Sequence, residues 1–135
     1  MIQLIVGNKG SGKTKKLIDQ VNEALRTSKG EIVCIEKGAK LTYDLNHKVR
    51  LIDVDSYGIS GFDMFYGFLA GLMAENYDIT EIFIDGIFKI CGKDYDDFGE
   101  FLEKLDTLSA EYEVQFSLTV SADLMELPVT VQKFA

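Results

Sequence analysis

Apolar residues along this chain recur with two different periods, and the two periods alternate. Residues 1–6 form a short apolar run, and residues 13–27 place Leu17, Ile18, Val21, Ala24 and Leu25 on one helical face. This predicts a strand and then an amphipathic helix, with Ser28-Lys29-Gly30 as its stop. Residues 31–36 (EIVCIE) are rich in β-branched side chains and predict a second strand. Residues 37–48 are polar and poorly periodic, which predicts a loop with a short extended piece around Leu41 to Tyr43. A third strand is expected over 49–54, a glycine-containing loop over 55–61, and over 62–76 a helix that is apolar almost all round. Residues 80–85 predict a fourth strand. Residues 95–112 predict an amphipathic helix with Phe98, Phe101, Leu102, Leu105 and Leu108 in register, and 114–120 a fifth strand. The tail from Ser121 fits two forms: Pro128 suits the start of a helical turn, while Val129-Thr130-Val131 suits a short strand.

Strands alternating with helices in one direction predict a parallel sheet covered on both faces, with ligand bound beyond the carboxyl ends of the strands. The expected fold class is therefore α/β: a three-layer sandwich around a mostly parallel sheet of five strands, or six if the tail pairs. At 135 residues with 47% hydrophobic content, the chain suits a single domain over 1–135 with a sizeable core. The apolar start is too short for a secretory signal and runs straight into glycines. The longest apolar stretch, 64–74, is interrupted by Gly67 and Gly71 and is too short to cross a bilayer. A soluble, cytoplasmic protein is expected. Cys34 and Cys91 lack metal-ligand spacing and read as reduced core residues.

The formal net charge of −8 excludes non-specific attraction to nucleic acid or anionic lipid, since no basic tract offsets it. Neither direct nucleic-acid binding nor membrane binding is expected. Eight acidic residues between Lys93 and Glu113, mostly on one predicted helix, read as a solvated outer face. His47 is a lone histidine in a polar loop with no partner pattern for catalysis or metal binding.

The chemistry is concentrated at the first strand-to-helix junction. Gly7-Asn8-Lys9-Gly10-Ser11-Gly12-Lys13-Thr14 matches the phosphate-binding pattern G-x-x-x-x-G-K-[ST], between a predicted strand and a predicted helix as that loop requires. Glycines at 7, 10 and 12 let successive N–H groups turn inward around an anion. In such a loop Lys13 reaches the β- and γ-phosphates, the Thr14 hydroxyl is placed for Mg²⁺, and the helix N-terminus faces the phosphates. A nucleotide is thus the expected ligand, with ATP and Mg²⁺ the expected pair. A phosphate loop normally works with a carboxylate at the end of another strand. Ile82-Phe83-Ile84-Asp85 supplies one, and Leu51-Ile52-Asp53 is the competing choice.

In its order of elements the chain resembles the nucleotide-binding core of the RecA-type P-loop ATPases: loop and helix, strand ending in Glu, strand, helix, apolar strand ending in Asp, helix, and a polar-ended strand. The resemblance spans nearly the whole chain, although only the phosphate loop is a specific motif. It implies that Glu36 polarises the attacking water, that Asp85 serves Mg²⁺, and that Ser121 senses the γ-phosphate. A metal strand ending at Asp53 would instead imply the sheet order of kinases and GTPases. Three features depart from the family. Asp85 is followed by Gly86 rather than glutamate, no basic counterpart of DNA-binding loops is present, and Arg26 and Arg50 are the only arginines. The chain is also similar to small bacterial P-loop proteins labelled as twitching-motility ATPases, without the length or extra domain of a pilus motor.

Three functions follow as expectations. The first is a slow or partner-stimulated ATPase, with Lys13 and Glu36 as its catalytic residues. The second is a small-molecule kinase, which would ordinarily clamp the transferred group with lid arginines. The third is a nucleotide-gated adaptor without useful turnover. Lys9, Lys15 and Lys16 surround the loop and either neutralise phosphate or point to solvent. The 55–61 loop fits either a nucleotide-responsive segment or an ordinary connection. The all-round apolar helix fits either deep burial or cover by a second copy of the chain, so a homo-oligomer or a protein partner belongs among the expectations.

Overall fold

Every strand in the computed structural model, which describes residues 1–135, runs in the same direction. The strands are β1 (Ile2–Gly7), β2 (Glu31–Glu36), β3 (Arg50–Asp53), β4 (Ile79–Asp85) and β5 (Gln115–Ser121). The helices are α1 (Lys13–Thr27), α2 (Phe62–Glu75), α3 (Ile87–Cys91), α4 (Tyr95–Tyr112) and α5 (Val129–Gln132). The sheet order is β1-β5-β4-β2-β3, so the first and last strands of the chain lie side by side. The fold is α/β, a single five-stranded parallel sheet with helices on both faces.

Alternation along the strands divides the core in two. Ile5, Ile32, Cys34 and Phe83 face α1, where they meet Leu17, Val21 and Ala24, with Leu41 and Val49 from the long loop closing the edge. Val33, Ile35, Ile82, Ile84, Phe116 and Leu118 face the other way, into a larger cluster built with α2, α4 and the short C-terminal elements. Aromatic packing joins the two long helices on that side: Phe62 lies 5.7 Å from Phe98 and 5.3 Å from Phe101 between ring centroids.

The long helices start and stop where local chemistry dictates. Asp94 caps α4, its Oδ1 accepting from Asp97 N at 3.0 Å, and Asp96 and Asp97 in the first turn suit the helix dipole. Strand β3 is shorter than its apolar run because Asp53 turns the chain, accepting from Asp55 N at 2.9 Å and Gly38 N at 2.8 Å. Between 40 and 44 the chain forms turns rather than an extended piece, with Leu41 buried and its carbonyl accepting from Asp44 N and Leu45 N. The tail resolves as α5, so no sixth strand forms. Helix α2 buries Phe62, Phe65, Leu69 and Met73, while Met64, Gly67 and Gly71 form an exposed outer strip. The all-round apolar pattern of α2 thus conceals one buried face and one open one. No helix is long and apolar enough to cross a membrane.

Candidate functional site

The carboxyl ends of all five strands lie along one rim. In register across it, Gly7 stands beside Ser121, and Asp85 beside Glu36, which in turn stands beside Asp53. The glycine loop rises from the β1 end of this rim. Gly10 and Gly12 have φ of 85° and 86°, a region that side-chain-bearing residues rarely occupy. At Gly7 a Cβ would stand 2.3 Å from Ser11 Oγ, because the loop folds back over the strand end, where Ser11 N donates to Asn8 O at 3.1 Å.

Helix α1 begins directly under the loop. Gly12 gives it no side-chain cap, and its first turn contains no acidic residue. The backbone amide N–H groups that every helix start leaves without intrahelical partners are therefore not satisfied by side chains here, and they point toward the loop. Lys13 bends back so that Nζ donates to Asn8 O at 3.1 Å. Thr14 Oγ1 lies 3.3 Å from both carboxylate oxygens of Asp85, across 71 residues of sequence.

Asp85 is held from a second side by Thr119 on β5, whose Oγ1 donates to Asp85 Oδ1 at 2.7 Å and accepts from Gly86 N at 2.7 Å. Thr119 is 2% exposed. These residues border a cleft of about 550 Å³ lined by Lys9, Gly10, Gly12, Lys13, Thr14, Lys15, Asp85, Gly86, Phe88, Lys89, Thr119 and Ser121. Four lysines and one carboxylate line it, in a chain of net charge −8.

The predicted site residues divide accordingly. Lys9, Gly10, Gly12, Lys13, Thr14, Asp85 and Ser121 share the cleft, with Gly7, Asn8 and Ser11 shaping the loop behind it. Glu36 does not line the cleft. It is 2% exposed, and its Oε2 accepts from Leu41 N at 2.8 Å. Burial pushes its carboxyl above the ordinary range, opposed by hydrogen bonds from the Leu41 and Lys40 backbone and reinforced by Asp85 and Asp53 nearby. Asp53, the competing metal carboxylate, sits on the edge strand farthest from the loop and is engaged with backbone donors there.

Reading the sequence alone missed Thr119, Phe88 and Lys89. A signal for Thr119 existed: Ser117, Thr119 and Ser121 recur every second residue in an otherwise apolar buried strand, placing hydroxyls on one face. Phe88 and Lys89 belong to α3, a five-residue helix too short to show a period.

The oxygen pair of Thr14 and Asp85 suits a hard divalent cation such as Mg²⁺, which takes few protein ligands and completes its shell with phosphate oxygens and water. Glycine amides, an uncapped helix start and lysine ammonium groups suit a polyphosphate. No protein-family model and no curated protein matches this chain.

Proposed function

We propose that this chain binds Mg-ATP in the cleft above the glycine loop and hydrolyses it slowly or under stimulation by a partner. The observation that carries the reading is the meeting of Thr14 and Asp85 at the mouth of the loop, from positions 71 residues apart. A glycine turn with an incidental lysine would have no reason to face a strand-end carboxylate. The position of β3 at the far edge of the sheet supports the RecA-type arrangement over the kinase and GTPase order, because it leaves Asp53 remote from the loop.

In this reading the amides of residues 10–14 and the Lys13 ammonium hold the β- and γ-phosphates. Lys13 exchanges its bond to the Asn8 carbonyl for bonds to phosphate oxygens. Thr14 and Asp85 hold the cation, directly or through water, and Thr119 keeps the carboxylate oriented. Bound Mg²⁺ would supply charge neutralisation for the phosphates. Ser121, in register with Gly7, stands where a hydroxyl can contact the terminal phosphate.

One observation favours the adaptor as a second reading. Glu36, the residue expected to polarise water, is buried against Leu41 N instead of lining the cleft. Turnover then depends on a movement of the 37–41 turn or on a group from a partner, for which the exposed outer strip of α2 offers a surface. The kinase reading gains nothing, because no arginine lines the cleft: Arg26 pairs with Glu23, and Arg50 lies 4.0 Å from Glu31.

Calorimetry of Mg-ATP binding to the wild type and Lys13→Ala, with ADP release followed in the same samples, tests the proposal. Binding by the wild type, weakened by at least about tenfold in Lys13→Ala, is expected from the loss of charge-assisted hydrogen bonds. ADP release then separates the ATPase from the silent switch. No wild-type binding at millimolar ATP would overturn the nucleotide reading altogether.

A further inference from the structure

The position after Asp85, where a second carboxylate is absent, has a different occupant. Gly86 has a φ of 77°, and a Cβ there would stand 3.2 Å from Lys89 Cδ and 3.6 Å from its Cβ and Cγ. The Lys89 stem therefore lies across the backbone at the end of β4, in the space a side chain at 86 would claim. Helix α3 holds it there from several sides. Its start is pinned by Gly86 N donating to Thr119, and Lys89 N and Ile90 N both donate to Gly86 O, at 2.9 and 3.3 Å. Ile87 and Ile90 are buried, and Phe88 packs edge-on against Phe98, 5.1 Å away between centroids. Lys89 is the polar residue of α3 that the packing leaves facing the cleft.

No carboxylate pairs with it. Of the other lysines in the cleft, Lys13 is engaged by the Asn8 carbonyl and Lys15 by Asp19, while Lys9, on the glycine loop itself, is also without a partner. Lys89 makes neither an ion pair nor a side-chain hydrogen bond, although the chain has 22 acidic residues and only 14 basic ones. A cation left unpaired in an acidic protein, on a braced helix beside the Thr14 and Asp85 pair, is matched by an anion at that point.

We propose that Lys89 is a second cation for the terminal phosphate, reaching it from the Asp85 side opposite Lys13 and giving the cleft its preference for a nucleoside triphosphate over a diphosphate. The proposal rests on the Mg-ATP reading and adds a role for a residue outside the loop motif. It also accounts for a cleft without arginine: a lysine supplies the charge as a point donor from within the same chain.

The test is the pair of dissociation constants for Mg-ATP and Mg-ADP, measured by calorimetry at fixed ionic strength for the wild type and for Lys89→Ala, Lys89→Gln and Lys89→Arg. Lys48→Ala, which removes one exposed charge from the 37–48 loop, serves as the charge control. The expected result is roughly a tenfold weaker affinity for ATP in the Ala and Gln variants, less than a twofold change for ADP, and retention of the preference in Lys89→Arg and Lys48→Ala. Equal losses for both nucleotides, or none, in a wild type that does bind would overturn the role of Lys89 alone. Failure of the wild type to bind either nucleotide would overturn the underlying reading with it.

Discussion

Replacing Thr119 by valine keeps the shape of a fully buried side chain and removes only its hydroxyl. That hydroxyl donates to a carboxylate at 2.7 Å and receives a backbone N–H at 2.7 Å, so two partners each lose a hydrogen bond at once. A hydrogen bond to a charged group contributes about 1.5–3 kcal/mol, and an unpaired amide costs about 1–3 kcal/mol when buried. Asp85 and Gly86 are only half-buried, so water recovers part of each term and the lower ends apply. The extra methyl of valine returns about 0.8 kcal/mol. A net destabilisation of about 2 kcal/mol follows, which for a chain of this length lowers Tm by about 7 °C. Thr119→Ser keeps the hydroxyl and loses one methyl, at about 1 kcal/mol. Urea and thermal unfolding of both variants should therefore rank them wild type, serine, valine. If valine matches the wild type within 0.5 kcal/mol, or proves milder than serine, Thr119 acts by packing and the hydroxyl relay is wrong.

Two further outcomes are expected. Gly30→Ala should destabilise by about 2 kcal/mol or more, because its Cβ would fall 2.1 Å from Thr80 Cγ2 and 2.5 Å from the Asp78 carbonyl oxygen, whereas Gly71→Ala on the open side of α2 meets nothing within 4 Å and should be neutral or stabilising by up to about 1 kcal/mol; equal denaturation midpoints for the two would contradict this. Glu36 has a carboxyl raised by burial, so its favourable contribution is complete below its ordinary value of 4.5 and is lost as pH rises through the folded value. In metal-free buffer, Glu36→Gln should gain stability relative to the wild type steadily from pH 4.5 upward, and a difference that stays flat to about pH 7 would show that the buried carboxylate carries no such penalty.

The parts of the molecule that were legible in the sequence are those with long periods or fixed spacing. Helices over 13–27 and 95–112 came out at the boundaries that the apolar positions define, and the loop from Gly7 to Thr14 was readable because its glycines and lysine obey a rule of spacing. Asp85 could be picked out as a carboxylate ending an apolar strand, but Asp53 satisfied the same rule. Only the order of strands, a matter of long-range pairing, separates them. Glu36 illustrates the opposite limit: its place on the rim was readable, while the Leu41 amide that draws its side chain away belongs to a turn with no periodic signature. Lys89 was invisible for a related reason. Its position depends on Gly86, the residue immediately after Asp85, taking a left-handed conformation, which sequence spacing does not announce.

The pairing of β1 with β5 also constrains how the molecule is made. Gly7 lies beside Ser121, and Gln3 Oε1 accepts from Ser117 Oγ across a separation of 114 residues. Parallel contacts of such range require closure of nearly the whole chain before they stabilise anything, and they are formed slowly. During synthesis at about 5–20 residues per second, the first strand would wait roughly 6–20 s for its only neighbour in the sheet. If the Mg-ATP proposal holds, nucleotide affinity would appear abruptly as β5 emerges and docks, making ligand capture by a nascent chain a timer for completion of the sheet.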